Sequence, residues 1–150
     1  MQKIIVLDSI RSMQNVGAIF RNADWSGFNK IILAWHTPTP PRWDISKTAL
    51  WAQNTIEWEY YEDIMEILEN LKNDWFEIIS VELTKDAVDY KTLVNYRTEK
   101  SCLILWNEVV WVSQKVLNFS HKHVIIPMVW KKNSLNVSVA AWIVMYALVN

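Results

Sequence analysis

Short apolar runs alternate with stretches of helical period along nearly all of this chain, and the alternation leaves few architectures open. Lys3 to Leu7 reads as a strand, after which Val16, Ile19, Phe20 and Ala23 recur at helical spacing. Lys30 to Ala34 is a second strand. Pro38, Pro40 and Pro41 make the segment from His36 to Arg42 an irregular loop, because proline donates no backbone hydrogen bond and restricts the residue before it. Thr55 to Tyr60 alternates like a half-exposed strand. Ile64, Ile67, Leu68 and Leu71 mark an amphipathic helix with an acidic outer face, and Phe76 to Leu83 is the next strand. Ser101 to Leu105 then reads as a central strand, Ser113 to Phe119 as a short helix, Val124 to Met128 as a strand and Ser134 to Leu148 as a closing helix. Strands and helices in this order predict an α/β fold with a parallel sheet covered on both faces. The 150 residues suit a single domain, without internal repeat or linker.

The closing helix is apolar around most of its circumference, including Val137, Val139, Ala141, Ile143, Val144, Met145 and Leu148. Such a helix has to be covered on all sides, which in a domain of this size favours a second subunit. Its apolar run is too short to span a bilayer, for which about 20 residues are needed. Cys102 is the single cysteine and cannot form an internal disulfide, and the first ten residues lack the apolar core of a signal peptide. Both features favour a reducing, cytoplasmic location. His121, His123 and Cys102 make no set of four ligands with recognisable spacing, so no metal site is expected.

Net charge is −1 but unevenly spread. Residues 1–56 hold six Lys/Arg against three Asp/Glu, residues 57–110 five against thirteen, and residues 111–150 four against none. This pattern is either ordinary solvated surface or two basic ends that meet and face a polyanion.

Three clusters have the right residue types for chemistry. Asn15, Gly17 and Arg21 place an amide at a strand-to-helix turn and an arginine on the same helix face as Gly17, an arrangement that spacing alone reads as a capped helix with a surface arginine. Leu105, Trp106, Asn107 and Glu108 follow a buried strand, at the end of the sheet where open α/β folds bind ligands, or form a plain turn. Ile126, Pro127 and Met128, followed by Ser134, Leu135, Asn136 and Ser138, end a strand and open the apolar helix, where Ser134 and Asn136 would serve equally as helix caps and Met128 and Leu135 as core.

Taken together, LDSIRSMQNVGAIFRNAD, LILWNEVVWVS and IPMVWKKNSLNVSVAA resemble the three motifs of the SpoU/TrmH family of RNA ribose methyltransferases, within the SPOUT superfamily. The resemblance extends through TPTPPR and ISKTAL and covers nearly the whole chain. It implies a parallel-sheet SPOUT fold with a C-terminal deep trefoil knot, a rare exception to the rule that chains do not thread. It also implies a homodimer and a methyl transfer from S-adenosylmethionine to a ribose 2′-hydroxyl of tRNA or rRNA. Carried across, Leu105, Trp106, Asn107 and Glu108, with Ile126, Pro127, Met128, Ser134, Leu135, Asn136 and Ser138, would wrap the cofactor, and Leu83 would line the same pocket. Arg21 would act at the hydroxyl, Asn15 would hold the loop that places it, and Glu108 and Asn136 would organise the pocket. Arg11, Arg42, Lys47, Lys131 and Lys132 are candidates for phosphate contacts. Many members carry an extra N-terminal RNA-binding domain; its absence from residues 1–150 leaves recognition to the dimer surface.

The resemblance also bears on an odd composition. The chain has 2 glycines and 10 tryptophans, whereas an ordinary chain of this length has about 10 glycines. Where the family usually has glycine, tryptophan stands at positions 106, 111, 130 and 51, and in the same way at 25, 35, 43, 75 and 142; only Trp58 sits where the family tolerates tryptophan. Returning those nine restores the usual glycine count. The pattern implies a gene that reads UGA as glycine, translated with UGA as tryptophan. Tryptophan at a tight turn forfeits the positive φ that glycine supplies, and Trp106 and Trp130 would crowd the cofactor loops.

Two other functions compete. A dimeric RNA-binding module with a lost or blocked cofactor pocket would keep the basic ends but not the polar motif residues, all of which are present. A generic nucleotide-binding α/β domain requires a glycine-rich turn after the first strand, and Asp8 to Asn15 contains none.

Overall fold

The computed structural model describes residues 1–106, 113–129 and 134–150. Seven strands form one sheet: β1 (Gln2–Asp8), β2 (Lys30–Ala34), β3 (Glu57–Tyr61), β4 (Glu77–Val81), β5 (Val88–Asp89), β6 (Lys100–Trp106) and β7 (Lys122–Ile125). Their order across the sheet is β3-β2-β1-β6-β4-β7-β5, and every pairing is parallel. Among the described residues, five α-helices cover it: α1 (Met13–Ser26), α2 (Trp43–Ala49), α3 (Ile64–Asn73), α4 (Gln114–Phe119) and α5 (Val137–Val149).

Strand alternation divides the core in two. Ile5, Leu7, Leu33, Ile79 and Leu103 point to the face covered by α1, α2 and α5, where Phe20, Ile45, Val144 and Met145 meet them. Ile4, Val6, Ile32, Ile78 and Ile104 point to the other face, under Leu68, Leu71 and Val116 of α3 and α4. Because both faces are buried, the central strands read as continuous apolar runs.

Several boundaries move for local reasons. β3 begins at Glu57 rather than Thr55 because residues 52–54 form a 3₁₀ turn, in which the Ala52 carbonyl accepts from the amides of Thr55 and Ile56. β7 ends at Ile125, so Ile126 to Met128 leave the sheet. The closing helix begins at Val137 because the Asn136 side chain caps it, accepting from the Ser138 amide. Of the apolar positions on α5, Val137, Ala141, Val144, Met145 and Leu148 are buried, whereas Val139 and Tyr146 stay nearly half exposed. No described helix is long and apolar enough to cross a membrane.

α2 was not anticipated, since seven residues after a proline-rich loop make too weak a periodic signal. What holds it is Gly17. A methyl group at that position would press into the Thr48 hydroxyl and the Ile45 carbonyl of α2, so the two helices touch only because Gly17 has no side chain. Thr48 then donates its hydroxyl proton to the Gln14 carbonyl at 3.0 Å.

Three of the suspect tryptophans occupy left-handed backbone: Trp35 at φ +53°, Trp51 at +76° and Trp75 at +66°. Gly27, at +72°, caps α1 in the same conformation. Trp51 and Trp75 are 76% and 88% exposed, so neither ring offsets the strain by packing. Trp25, Trp43, Trp106 and Trp142 lie in helices or a strand, where φ makes no such demand, and Trp106 packs partly into the second core. Trp111 and Trp130 lie outside the described residues.

Two expectations follow. Gly17→Ala gains about 1 kcal/mol of helix propensity but overpacks a rigid contact at a cost of up to ~3 kcal/mol, so urea denaturation should show a net loss of about 1–2 kcal/mol. Trp51→Gly and Trp75→Gly relieve a left-handed penalty of about 1–2 kcal/mol against a glycine entropy cost of roughly 0.5–1 kcal/mol. Each should therefore raise stability by about 0.5–1 kcal/mol on the same assay, and a loss would remove the conformational case for glycine.

Candidate functional site

Parallel pairing brings the ends of the strands to one edge. Asp8, the last residue of β1, lies opposite Ala34 of β2 and Trp106 of β6, so the ends of these three strands lie side by side, where open α/β sheets receive ligands. α1 starts at this edge with Ser12 as its cap, the Ser12 hydroxyl accepting from the Asn15 amide at 3.2 Å. α5 starts beside it. The Asn136 side chain donates through Nδ2 to Asn15 Oδ1 at 3.1 Å, while its own Oδ1 accepts from the Ser138 amide at 2.8 Å and the Ser138 hydroxyl at 2.6 Å. Two turns further along α1, Asn22 Nδ2 donates to the Ser138 carbonyl at 2.9 Å. The start of α5 thus meets α1, and three residues expected at the site, Asn15, Asn136 and Ser138, form one hydrogen-bonded cluster.

Arg21 faces a cavity of about 590 Å³ between α1, the C-terminal end of α2 and the start of α5. Lys47, Thr48, Ser138 and Trp142 line it with Arg21, and the guanidinium lies 5.4 Å from the centre of the Trp25 ring. Among the described residues, the ion pairs are those of Lys30 with Glu57 and Glu59 at the opposite edge of the sheet, and none involves Arg21. Guanidinium stays protonated, so this cavity holds a fixed positive charge beside hydroxyl and amide donors. A larger cavity of about 730 Å³ surrounds Lys30, Glu57 and Glu59 at that opposite edge, and no residue expected at the site lines it.

Arg11 and Arg42 line a different cavity, over the ends of β2 and β3. Arg42 precedes the first turn of α2. Nearby, burial pushes the Asp8 carboxyl above its ordinary range, against the opposing effects of the Ser9 hydroxyl, which donates to it, and of His36.

Some of the expected cofactor residues lie at the strand ends on the other half of the edge. β6, β4 and β7 are neighbours, and their ends present Trp106, Leu83 and the run from Ile126 to Met128. Leu83 is 70% exposed and Met128 38%, so both offer apolar surface at the strand ends. Pro127 and Ser134 are exposed, Ile126 and Leu135 half-buried. The Leu105 side chain is buried in the core, which leaves only its main chain for a ligand. Beside Leu83, Thr84 Oγ1 is buried with no hydrogen-bond partner among the described residues. Asn107, Glu108, Lys131 and Lys132 lie outside the described residues.

No three His, Cys, Asp or Glu side chains converge as a metal site among the described residues. Cys102 is fully buried and its thiol pushed well up, so it is no nucleophile. His121 accepts the Ile78 amide at its Nδ1, a structural role at the entry to β7.

Sequence reading missed Asn22 and Thr48. Asn22 had a signal, since 15, 18 and 22 fall on one stripe of a helix. Thr48 had none, because its place depends on the α1–α2 contact at Gly17.

A family model described as the SpoU rRNA Methylase family matches residues 2–146. The tRNA (guanosine(18)-2′-O)-methyltransferase of Escherichia coli (strain K12) is 26% identical over 142 residues, covering 95% of this chain and 60% of the relative. The chain therefore spans about 60% of the length of that relative. Among solved structures, the Aquifex aeolicus TrmH/SpoU tRNA modifying enzyme superposes with a TM-score of 0.87 at 26% identity, covering 99% of this chain and 74% of that one. The AdoMet-bound rRNA methyltransferase from Sinorhizobium meliloti superposes at 0.89 with 22% identity, over 98% and 55% of the two chains, and shows the same fold.

The Asn136 cluster makes a prediction of its own. Asn136→Ala removes both the helix cap and the link to Asn15 and should cost about 1–2 kcal/mol in urea denaturation. Asn136→Asp keeps the capping oxygen, and the Asn15 amide can turn to donate to it, so its loss should stay within about 0.5 kcal/mol. Equal losses would mean that the cap is not what Asn136 contributes.

Proposed function

The chain belongs to the SpoU rRNA Methylase family, and from that premise we propose that it transfers a methyl group from S-adenosylmethionine to the ribose 2′-hydroxyl of a tRNA or rRNA nucleotide. The observation that supports this most is the Asn136–Asn15 hydrogen bond, which joins the helix bearing Arg21 to the loops expected to hold the cofactor. The ends of β4, β6 and β7 suit an adenosine-bearing ligand, since Leu83 and Met128 supply exposed apolar walls and Thr84 Oγ1 is a buried polar atom without a partner among the described residues. Leu105, Trp106, Asn107, Glu108, Ile126, Pro127, Ser134, Leu135, Asn136 and Ser138 would complete the cradle. We also propose that the C-terminal portion threads as a deep trefoil knot to build it.

When bound, S-adenosylmethionine supplies an electrophilic methyl group on a sulfonium centre. The protein's task is then alignment and charge stabilisation, because displacement requires the ribose oxygen in line with that methyl group. In the cavity next to Ser138, Arg21 would orient the hydroxyl and stabilise negative charge as it grows on oxygen. Guanidinium has no proton to lose near neutral pH, so the hydroxyl proton would pass to phosphate or water. Asn15, whose side-chain oxygen accepts from Asn136, would hold the start of α1 against α5 and so help to place Arg21. Glu108 would help to organise the pocket. Lys47 lies in the same cavity and would meet a phosphate, with Lys131 and Lys132 as further phosphate contacts.

A homodimer fits the surface that α5 leaves open. Val139 and Tyr146, 45% and 46% exposed, continue into Trp142 and Trp25 around the Arg21 cavity, and a second copy packed there would cover them. With RNA as substrate, the protein would work in the cytoplasm, with residues 1–150 supplying a methyltransferase domain.

The deciding experiment is Arg21→Ala, assayed with radiolabelled methyl donor on tRNA and rRNA and by calorimetric titration of S-adenosylmethionine. Methylation should fall by about 10²–10³-fold, the usual effect of removing one donor from a developing oxyanion, while cofactor affinity stays within a few fold. A matching loss of cofactor affinity would move Arg21 into the cofactor pocket, and failure of the unmutated chain to bind the cofactor would favour an RNA-binding module.

A further inference from the structure

Beyond the Arg21 cavity, about 670 Å³ of space lies over the ends of β2 and β3, and the proposed function leaves it without a task. Its walls combine two arginines, Arg11 and Arg42, with the rings of His36, Trp58 and Tyr60, and no carboxylate lines it. Asp8 lies close enough for His36 to draw its carboxyl down, but it stays outside the lining. Fixed cations beside aromatic faces form the combination that grips single-stranded nucleic acid: arginine meets phosphate, and a ring takes an unstacked base regardless of sequence.

The walls are also held in place before any ligand arrives. Thr37, only 3% exposed, donates its hydroxyl proton to the Leu7 carbonyl at 2.8 Å and accepts the Ile10 amide at 3.0 Å. It thereby ties the loop carrying His36 to the loop carrying Arg11. Tyr60 donates its phenolic proton to the main-chain carbonyl of residue 35 at 2.8 Å, which spends its one donor and leaves the ring face for stacking. His36 stacks on Trp35 with centroids 4.4 Å apart. The Tyr60 bond goes to main chain, so it survives glycine at position 35.

We propose that this cavity binds an unstacked nucleotide flanking the methylated one, its base against Tyr60 and His36 and its phosphates at Arg11 and Arg42. The inference rests on the RNA substrate of the proposed function. α2 supplies the spacing. Arg42 stands before its first turn and Lys47 in its last, and at 1.5 Å per residue these lie roughly 7–8 Å apart along the axis. A strand laid along α2 would set one nucleotide in each cavity, so the preferred substrate is a loop or bulge rather than a paired helix.

The test is fluorescence anisotropy of labelled oligouridylate, with a fully paired RNA duplex as the comparison. The protein should prefer the single strand. Tyr60→Leu and His36→Ala should each weaken binding by about tenfold or more with an unchanged salt slope, whereas Tyr60→Phe, which keeps the ring, should bind within about twofold. Arg11→Ala and Arg42→Ala should weaken binding and lower the salt slope by about 1 each. Calorimetric titration of S-adenosylmethionine accompanies every variant and should be unchanged. Normal oligouridylate binding by folded Tyr60→Leu and His36→Ala proteins, or equal affinity for the duplex, would overturn the proposal. Loss of cofactor binding by the unmutated chain would instead strike the methyltransferase reading and leave the stacking result legible.

Discussion

Strand β1 is hydrogen-bonded on both sides, to β2 from Ile4 onward and to β6 along its full length. Everything else in the molecule is placed relative to it. In-register parallel pairing on both sides brings the loop that starts α1, the loop that precedes α2 and the end of β6 to one edge, within reach of one another. Cores on both faces fix that register, since a slip of one residue would turn Ile5 and Leu7 toward the wrong helices.

The edge divides where β1 meets β6. On one side the chain runs from β1 to β2 to β3 and builds the cationic, aromatic surface of Arg11, Arg42, His36 and Tyr60. On the other, β6, β4 and β7 present Leu83, Trp106 and Met128. Arg21, Asn15 and Asn136 stand at the junction, where the α1–α5 contact crosses between the halves. The proposed reaction, which would join a nucleic acid to a small donor, would need such a junction, because neither half alone would bring the two reactants together.

Much of this was legible in the sequence. The central strands announce themselves because burial on both faces demands unbroken apolar runs, as at Lys3 to Leu7 and Ser101 to Leu105. Asn15, Arg21 and Asn136 were legible through motif resemblance, whereas spacing alone allowed a capped helix and nothing more. α2, Thr48 and the ring faces of Trp58 and Tyr60 were not. α2 exists by tertiary contact with Gly17 rather than by its own periodicity. In sequence, Trp58 and Tyr60 are one face of an ordinary half-exposed strand, and only the fold sets the β2–α2 loop beside them to line a common cavity. The excess of tryptophan was visible at once, but only backbone geometry separates positions 35, 51 and 75, where φ is positive, from those in regular helix or strand.

The bond between Asn15 and Asn136 joins residues 121 apart. During synthesis, α1 and its arginine emerge early, and the segment that must dock against them emerges near the end of the described chain. Contacts of such sequence separation are made late, since loop closure precedes any gain from them. A nascent chain would therefore carry a finished sheet centre and an unfinished contact between α1 and α5, so that the junction proposed for chemistry would be completed as the last event of folding rather than growing with it.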